Sequence, residues 1–468
     1  MNINDEIRTL FSNAVFQNKI ENYTGISNLM ALKIENQYIY GYSSNKYGLP
    51  SEVVSSWDIV YKLVEQIELY KEKYTLIDPS LLDNLFYDLS LSLIFDDYNI
   101  SNEDHINYKK LISDLKDIGA KSYEGKPVDI GVIFCPDKQS YQQLNQLNID
   151  IISIPSGISI KDFFEKEKPF LRLIDNESFA IIIDGEFNVF AIARKQKSEK
   201  SINYIIEKQF STHVTNKIHN ILLDTYLDEL TKNVNKNKAD DLITLKKEMK
   251  RNIDNRPQYI YFYLKNWKIN IHSKNDFTLT YFNGDWKLKP YNLINAILAN
   301  YLFKKNIKTL DIDPLVARQL FNDLMDSIEV LSATLKRLSL CNLSSIYLIN
   351  YENELLKVIN EANKNPSPLY LNVVSIGSSI FGNINTQEAD YYVMQAISAI
   401  DGAVLLDNNL TISSFGEIVN MTGCPDYQDT FGTGTKAARY ASRNCLAIKI
   451  SEDGDIYFFQ NEDLLVKI

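Results

Sequence analysis

Residues 396–410 read AISAIDGAVLLDNNL, and this stretch decides how the C-terminal part of the chain is expected to fold. The residues before Asp401 repeat with the period of a helix, which predicts a helix over residues 387–400. The AVLL that follows Gly402 reads as a buried strand. The predicted N-cap of the helix is Asn385. Its predicted buried face consists of Ala389, Val393, Ala396, Ile397 and Ile400.

The Asp-Gly pair inside this stretch is expected to be a corner. Such a pair usually marks the tip of a hairpin, whereas here a helix precedes it and a strand follows. We therefore interpret Gly402 as a helix-to-strand corner and place the hairpin turn at residues 407–409. The carboxylate of Asp401 would lie beside a helix C-terminus, which disfavours negative charge. A divalent cation carrying a nucleotide phosphate would balance that charge, while a solvated Asp at a turn is an equally simple interpretation.

A second candidate segment is FGTGTKAARYASR, which runs from Phe431 to Arg443. Its glycines and threonines precede a run with helical period, so free N–H groups at the helix start would face an anion such as phosphate. Lys436, Arg439 and Arg443 recur at spacings of three and four, which predicts three cations along one side. A glycine turn followed by a solvated basic face is the structural alternative. The predicted phosphate contacts are Gly432, Thr433, Gly434 and Thr435, and the predicted thin packing side is Ala437, Ala438 and Ala441.

Two common nucleotide motifs do not fit this segment. The glycines match G-x-G-x-x-A, but that dinucleotide fingerprint needs a strand directly before it, and here the loop CPDYQDT intervenes. The Walker A pattern fails because no G-K-[ST] occurs at the required place. We therefore reject both motifs.

The whole chain of 468 residues predicts several domains of mixed α/β (α+β) class. A long helix is expected from about Pro314 to Leu340, and SSIYLIN, YENELLKVINEA and LYLNVVSIG then alternate between strand and helix. Buried strands are expected at 127–135 and 149–157, and hairpins around Glu35-Asn36, Asp184-Gly185 and Asn283-Gly284. The expected domains are an N-terminal α/β domain over 1–230, a helical linker over 231–256, a small β-rich segment with an antiparallel sheet over 257–314, and a mixed-sheet domain over 315–468.

Composition and charge exclude several classes of function. The formal charge of -11 argues against sequence-independent binding of duplex nucleic acid, and it favours a solvated connector over a nucleic-acid-binding helix at 231–256. Four cysteines without a CxxC pair and four scattered histidines indicate neither a disulfide framework nor a zinc site. The N-terminus has acids where a signal peptide carries bases, and no uncharged run is long enough to cross a bilayer. The expectation is a cytoplasmic protein with no membrane partner.

With these segments placed, the part from about residue 315 to 468 resembles the diadenylate cyclase domain, the fold of the DNA-integrity scanning protein. That family carries D-G-A opening a strand, G-T-R-H-R-A-A opening a helix, and a strand ending in S-E. The matching positions here are Asp401-Gly402-Ala403, then Gly432 to Ala438, and then Ser451-Glu452 after LAIKI. Their order and spacing agree with the family.

The resemblance implies a chemistry and an assembly. Two domains would face each other, each holding one ATP, and each 3′-hydroxyl would attack the α-phosphorus of the other nucleotide. Asp401 would hold a divalent ion, Mg or Mn, and Thr433 and Thr435 would lie near phosphates. Lys436, with Arg439, would take the cationic role on the triphosphate. A homodimer or higher homo-oligomer follows, because one site alone cannot complete the ring.

One departure from the family leaves two functions open. Where the family has R-H-R, this chain has Gly434-Thr435-Lys436, and a lysine lacks the bidentate fork of an arginine. Either a divergent cyclase has moved its cations to Arg439 and Arg443, or the domain binds a nucleotide as a sensor without converting it. A purely structural reading would place Asp401 and the Gly-Thr segment far apart. The arrangement upstream looks like a sensor region of the type called DACNV, which implies a part in nucleotide-based antiviral defence.

Overall fold

The structure is a computed structural model of the chain, and it divides into two units that are described separately. The first unit comprises Met1–Tyr42, Ser56–Lys217 and Asn252–Asn292, and the second comprises Ser43–Ser55, Ile218–Arg251 and Leu293–Ile468. The predicted mixed α/β class is confirmed. The described residues are 13–24, 29–34, 37–42, 81–95, 102–166, 168–197, 201–232, 236–253, 256–265, 267–273, 278–306, 313–349, 393–427, 431–443 and 445–468.

The first unit is built around an eight-stranded mixed sheet with the order β12-β11-β10-β9-β5-β7-β8-β6. Its helices are α1 (Ala14–Thr24), α2 (Leu82–Phe95), α3 (Asn102–Gly119), α4 (Lys138–Leu144), α5 (Ile160–Lys166), α6 (Phe170–Leu173) and the first part of α7 (Ile202–Lys232). The strands are β1 (Leu29–Ile34), β2 (Gln37–Tyr42), β3 (Ser122–Tyr123), β4 (Lys126–Pro127), β5 (Asp129–Phe134), β6 (Ile149–Ser159), β7 (Phe179–Ile183), β8 (Asn188–Lys195), β9 (Ile260–Lys265), β10 (Lys268–His272), β11 (Thr278–Phe282) and β12 (Asp285–Lys289). Within this sheet β5 and β7 run parallel and the other neighbours run antiparallel.

All three predicted hairpins form antiparallel pairs, namely β1–β2, β7–β8 and β11–β12. The last one turns at Asn283 and Gly284, whose φ angles of 52° and 92° suit a tight two-residue turn. Asp184 closes the second hairpin, since its Oδ1 accepts hydrogen bonds from the N–H groups of Glu186 and Asn188. The turn residues therefore predicted the positions of these three hairpins correctly.

Two sequence-based expectations about strand placement differ from the structure. The four strands from β9 to β12 do not form a separate sheet, because β9 pairs antiparallel with β5 and extends the larger sheet. Residues 149–157 form a strand as predicted, but the prediction that this strand is buried is wrong. β6 lies at the edge of the sheet, and Ile152 is exposed. In contrast β5 is buried as predicted, in accord with its position between two partners.

The second unit packs helices against a six-stranded sheet with the order β15-β14-β13-β16-β17-β18. Its helices are the last part of α7, α8 (Lys236–Met249), α9 (Asn292–Asn306), α10 (Pro314–Leu340), a helical segment at 393–398 and α11 (Thr433–Ala441). The strands are β13 (Ser345–Ile349), β14 (Ala403–Leu406), β15 (Ile412–Glu417), β16 (Leu446–Ile450), β17 (Ile456–Gln460) and β18 (Asp463–Lys467). Only the pair β13–β14 is parallel. α10 spans the predicted residues, while α9 was not predicted.

The helix predicted before Asp401 is found in its last part. Residues 393–398 are helical and Ile397 is buried, but Ala396 and Ile400 are exposed, so the predicted face is only partly correct. Ser398 turns inward instead and forms a hydrogen bond with the hydroxyl of Tyr347 on β13. The predicted N-cap Asn385, Ala389 and the elements predicted between 351 and 390 lie outside the described residues.

A buried histidine makes the second unit sensitive to acid. His219 on α7 lies edge-on to Phe321 of α10, and its Nε2 is 3.3 Å from the carbonyl oxygen of Met249. Burial, assisted by the nearby positive charge of Arg251, lowers the pKa of His219 to about 4. Arg251 is itself paired with Glu329 of α10 at 2.5 Å. The neutral imidazole is therefore the form that fits this core.

Acidification is expected to lower the free energy of unfolding of this protein by about 2–3 kcal/mol through His219 between pH 6.5 and 4. The unfolded chain takes up the proton near pH 6.5, whereas the folded chain takes it up only near pH 4. Stability is thus retained above this window and lost as the pH falls through it. His219→Gln keeps a donor for Met249 and cannot titrate, so urea unfolding from pH 7 to 4.5 should show a flatter profile. Parallel profiles for the two proteins would contradict this assignment.

Candidate functional site

Strand register brings three separate segments to one end of the six-stranded sheet. Ile346 of β13 pairs with Ala403 of β14 on one side and with Lys449 of β16 on the other. Paired residues on adjacent strands point to the same face, so these three side chains form one row. Asp401 comes two residues before Ala403, and Ser451 directly follows β16. Both therefore lie beyond the row, at the same end of the sheet.

Helix α11 covers this row with its first turn. A Cβ added to Gly434 would lie 3.2 Å from Cε of Lys449 and 4.0 Å from Cδ1 of Ile346. Neighbouring strands are about 4.8 Å apart, so the first turn lies about one strand spacing from β14. The segment before β14 and the Gly-Thr segment, predicted separately from sequence, consequently both lie at this end of the sheet. The small residues predicted to pack, Ala437, Ala438 and Ala441, are buried against that face.

No side chain among the described residues caps the N-terminus of α11. Gly432 is the N-cap residue and makes no side-chain cap hydrogen bond, and the first turn has no acidic residue. The first N–H groups of any helix have no partner within the helix, and together they carry partial positive charge. A Cβ added to Gly432 would meet nothing within 4 Å, and Thr433 is exposed. As far as the described residues extend, this helix end is therefore accessible to an anion.

The predicted corner at Gly402 is confirmed by its backbone. Gly402 has φ of +112°, and an added Cβ would lie only 2.5 Å from the carbonyl carbon of Gly416. Only glycine fits here, because β15 passes too close for any side chain. The hairpin turn also falls where predicted, with Asp407 accepting hydrogen bonds from the N–H groups of Asn409 and Thr411.

The side chain of Asp401 is exposed beside this corner. Within the described part of the chain, it has neither a hydrogen bond nor an ion pair. The neighbouring Ala403 is fully buried at the start of β14 and continues the row described above. The described residues thus leave this carboxylate unneutralised at the sheet end that α11 covers. Carboxylate oxygen is a ligand suited to Mg²⁺ or Mn²⁺ when phosphates supply the other ligands.

Two of the three predicted cations, Arg439 and Arg443, do not lie at the first turn of α11. Arg439 stacks on the ring of Tyr427 at 4.2 Å, and its Nε donates a hydrogen bond to the carbonyl oxygen of Glu462. Arg443 lies beyond the last residue of α11 and forms an ion pair with Glu462 at 3.1 Å. Arg439 is six residues after Thr433, which places it about 9 Å further along the helix. These two arginines hold the β17–β18 turn against α11, away from its first turn.

Four remaining predicted residues have distinct surroundings. Lys436 is half-buried in the first turn, and among the described residues its amino group has no hydrogen bond or ion pair. Ser451 caps the β16–β17 turn, since its Oγ accepts a hydrogen bond from the N–H of Asp455 at 3.1 Å. Glu452 follows it and is exposed. Thr435 is buried on the inner side of α11.

Sequence reasoning missed one charged residue, Lys449. It lies in the apolar strand LAIKI and is only 6% exposed. Its Nζ donates a hydrogen bond to Oγ of Ser344 at 2.5 Å. Burial lowers the pKa of Lys449, while the nearby carboxylate of Glu452 opposes that shift. A single lysine within a five-residue apolar strand was the sequence signal for a functional residue. The register was needed to show which sheet face the lysine side chain occupies.

Metal-ligand groups, membrane helices and similarity to known proteins do not identify a function. In the described residues, no group of three or more His, Cys, Asp or Glu is arranged to hold a metal ion, and no helix is long and apolar enough to cross a membrane. No family model and no curated protein matches the chain. A solved structure, described as a hypothetical membrane spanning protein from Bacillus cereus, aligns with 16% identity over 38% of this chain and 90% of its own, at a TM-score of 0.22. A TM-score of this size does not indicate a shared fold.

Proposed function

We propose that residues 315–468 act as a nucleotidyltransferase of the diadenylate cyclase type. The substrates would be two molecules of ATP or a related nucleotide, and the product a cyclic dinucleotide that serves as a second messenger. One observation carries the proposal: an unneutralised carboxylate, Asp401, lies at the same sheet end as an uncapped helix N-terminus preceded by Gly432. Both features favour binding of a metal-bound triphosphate, the carboxylate through the metal and the helix N-terminus through the phosphates.

The residues at this end suit the demands of phosphoryl transfer. Such a reaction needs charge neutralised and reactants aligned more than it needs covalent help from the protein. Asp401 would hold Mg²⁺ or Mn²⁺, which supplies neutralising charge at the phosphates. The N–H groups at the start of α11 and the hydroxyl of Thr433 would bind phosphate oxygens, and Lys436 would add positive charge. The 3′-hydroxyl of the nucleotide on a second copy would then attack the α-phosphorus and displace pyrophosphate.

Two consequences concern assembly and control. Formation of a ring from two nucleotides requires two facing sites, so we propose at least a transient homodimer. The upstream residues would then be a sensor region that adjusts how often the two sites meet. We place this activity in the cytoplasm, with a nucleotide as the partner and with neither nucleic acid nor membrane involved.

A second candidate function is nucleotide sensing without turnover. The observation that favours it is the position of the two arginines, because Arg439 and Arg443 contact Glu462 and two tyrosines instead of the first turn of α11. A site without a guanidinium lacks bidentate contacts to a transition state. Such a site would still bind a triphosphate through the helix N-terminus.

Incubation of the purified protein with radiolabelled ATP and Mg²⁺ or Mn²⁺ separates these functions. The expected result is a cyclic dinucleotide plus pyrophosphate, with a rate per molecule that falls on dilution because two copies must meet. If ATP raises the melting temperature but no product forms, sensing replaces synthesis. If ATP gives neither product nor a thermal shift with either metal, both functions are excluded.

A further inference from the structure

Lys449 carries a buried positive charge for which the described residues supply no counter-ion. Among the described residues no carboxylate lies within 4 Å of its Nζ, and its one hydrogen-bond partner, Ser344, is neutral. Burial lowers the pKa of Lys449 and the carboxylate of Glu452 acts to raise it, but Glu452 is exposed. Asp455 is already paired with Lys467 at 3.0 Å. An ammonium group has three donors, so the other two have no acceptor in this part of the chain. Burying such a group is unfavourable unless a negative partner arrives.

The ammonium group points at the start of α11. A Cβ added to Gly434 would lie 3.3 Å from Nζ of Lys449, so the absence of a side chain at this position makes room for the amine. The first-turn N–H groups also carry partial positive charge, and no side chain in the described ranges caps them. The ammonium group of Lys449 and the N–H groups of α11 therefore both place positive charge at the first turn of this helix. They come from different elements, β16 and α11, which are adjacent only through the register of the sheet.

We propose that Lys449, together with the first turn of α11 and the hydroxyl of Ser344, binds a phosphate group of the ligand. The assignment of that ligand as a nucleoside triphosphate rests on the proposed function, whereas the phosphate site itself rests on Lys449 and α11. In this arrangement Lys449 supplies the charge that Arg439 and Arg443 do not bring to the first turn. The bound phosphate is the missing counter-ion of the buried amine.

Isothermal titration of the full-length protein with ATP and with inorganic tripolyphosphate, each with and without Mg²⁺, tests the assignment. Lys449→Met removes the charge and preserves the volume, and it is expected to weaken binding of both ligands at least tenfold. Lys247→Met removes an exposed lysine of α8 and should leave both affinities within twofold. The unliganded Lys449→Met protein is expected to melt at the same temperature as the wild type or higher, because methionine needs no counter-ion.

A second variant distinguishes a loss of phosphate binding from a folding defect. Gly434→Ala places a methyl group 3.3 Å from Nζ while favouring the helix over glycine, so it should weaken binding severalfold without lowering the melting temperature. Equal ATP affinity for Lys449→Met and wild type would overturn this inference and leave the proposed function standing. Binding of tripolyphosphate but not ATP, lost in Lys449→Met, would support the site and overturn the proposed function. Absence of binding to either ligand would overturn both.

Discussion

Asp401→Asn is expected to lower the rate of cyclic dinucleotide formation at least about a hundredfold, the loss typical for removing one electrostatic contact to a transition state. Asparagine keeps the shape of the side chain but removes its charge, and a neutral amide is a weaker ligand for Mg²⁺ or Mn²⁺ than a carboxylate. Because Asp401 is exposed and has no hydrogen bond or ion pair with the described residues, the melting temperature should not change. Rates measured over a range of Mn²⁺ concentrations would report the loss.

The matched control for this variant is Asp463→Asn. Asp463 is also an exposed acid on the same sheet, but it begins β18 at the opposite end, where it pairs with Gln460. Its substitution removes the same charge from the protein and should leave the rate within twofold. Wild-type activity of Asp401→Asn at every metal concentration would remove Asp401 from the chemistry.

Gly402→Ala is expected to destabilise the second unit by about 3–5 kcal/mol, as the sum of backbone strain and overpacking. The φ of +112° is a conformation that alanine rarely adopts, and the new Cβ would lie 2.5 Å from the backbone of Gly416. Backbone atoms of β15 cannot rotate aside as a flexible side chain can. Equilibrium unfolding in urea measures the effect, which should appear as a lower midpoint for the transition of this unit.

Gly432→Ala serves as the control for the corner glycine. Its φ of -65° suits any residue, and an added Cβ meets nothing within 4 Å. The change should therefore alter stability by less than about 1 kcal/mol, the range of effects at an N-cap position. If the two alanine variants unfold at the same urea concentration, the close approach of β15 to Gly402 is not what requires glycine there.

The sequence predicted those parts of the fold that depend on short-range physics. The corner at Gly402, the turn closed by Asp407 and the start of α11 after Gly432 were all found from neighbouring residues. Partners distant in sequence were not found. Nothing in the pattern of β9 indicates that it pairs with β5 of the same sheet, because apolar runs do not encode neighbours. In β6 a local signal was overlooked, since Pro155 has no N–H to donate to a second partner strand and therefore indicates an edge strand.

The same limit governed the candidate site. Asp401 and the Gly-Thr segment could be singled out because a lone acid at a corner and glycines before a helix are local signals. Arg439 and Arg443 matched helical spacing, but spacing alone does not reveal that Glu462 engages them. Lys449 was overlooked for the opposite reason. Within LAIKI it matches the pattern of a strand. Its position under the first turn of α11 is known only from its pairing with Ile346.

The central position of β13 also constrains how the chain reaches its native state. Ile349 pairs with Leu446, a residue that leaves the ribosome about a hundred positions later, which at ordinary elongation rates means a wait of about 5–20 s. Contacts of such long range raise the relative contact order and slow folding. Until Leu446–Ile450 is synthesised, this strand lacks one of its two partner strands, so heterologous expression should give more intact protein at low temperature or with holdase chaperones present.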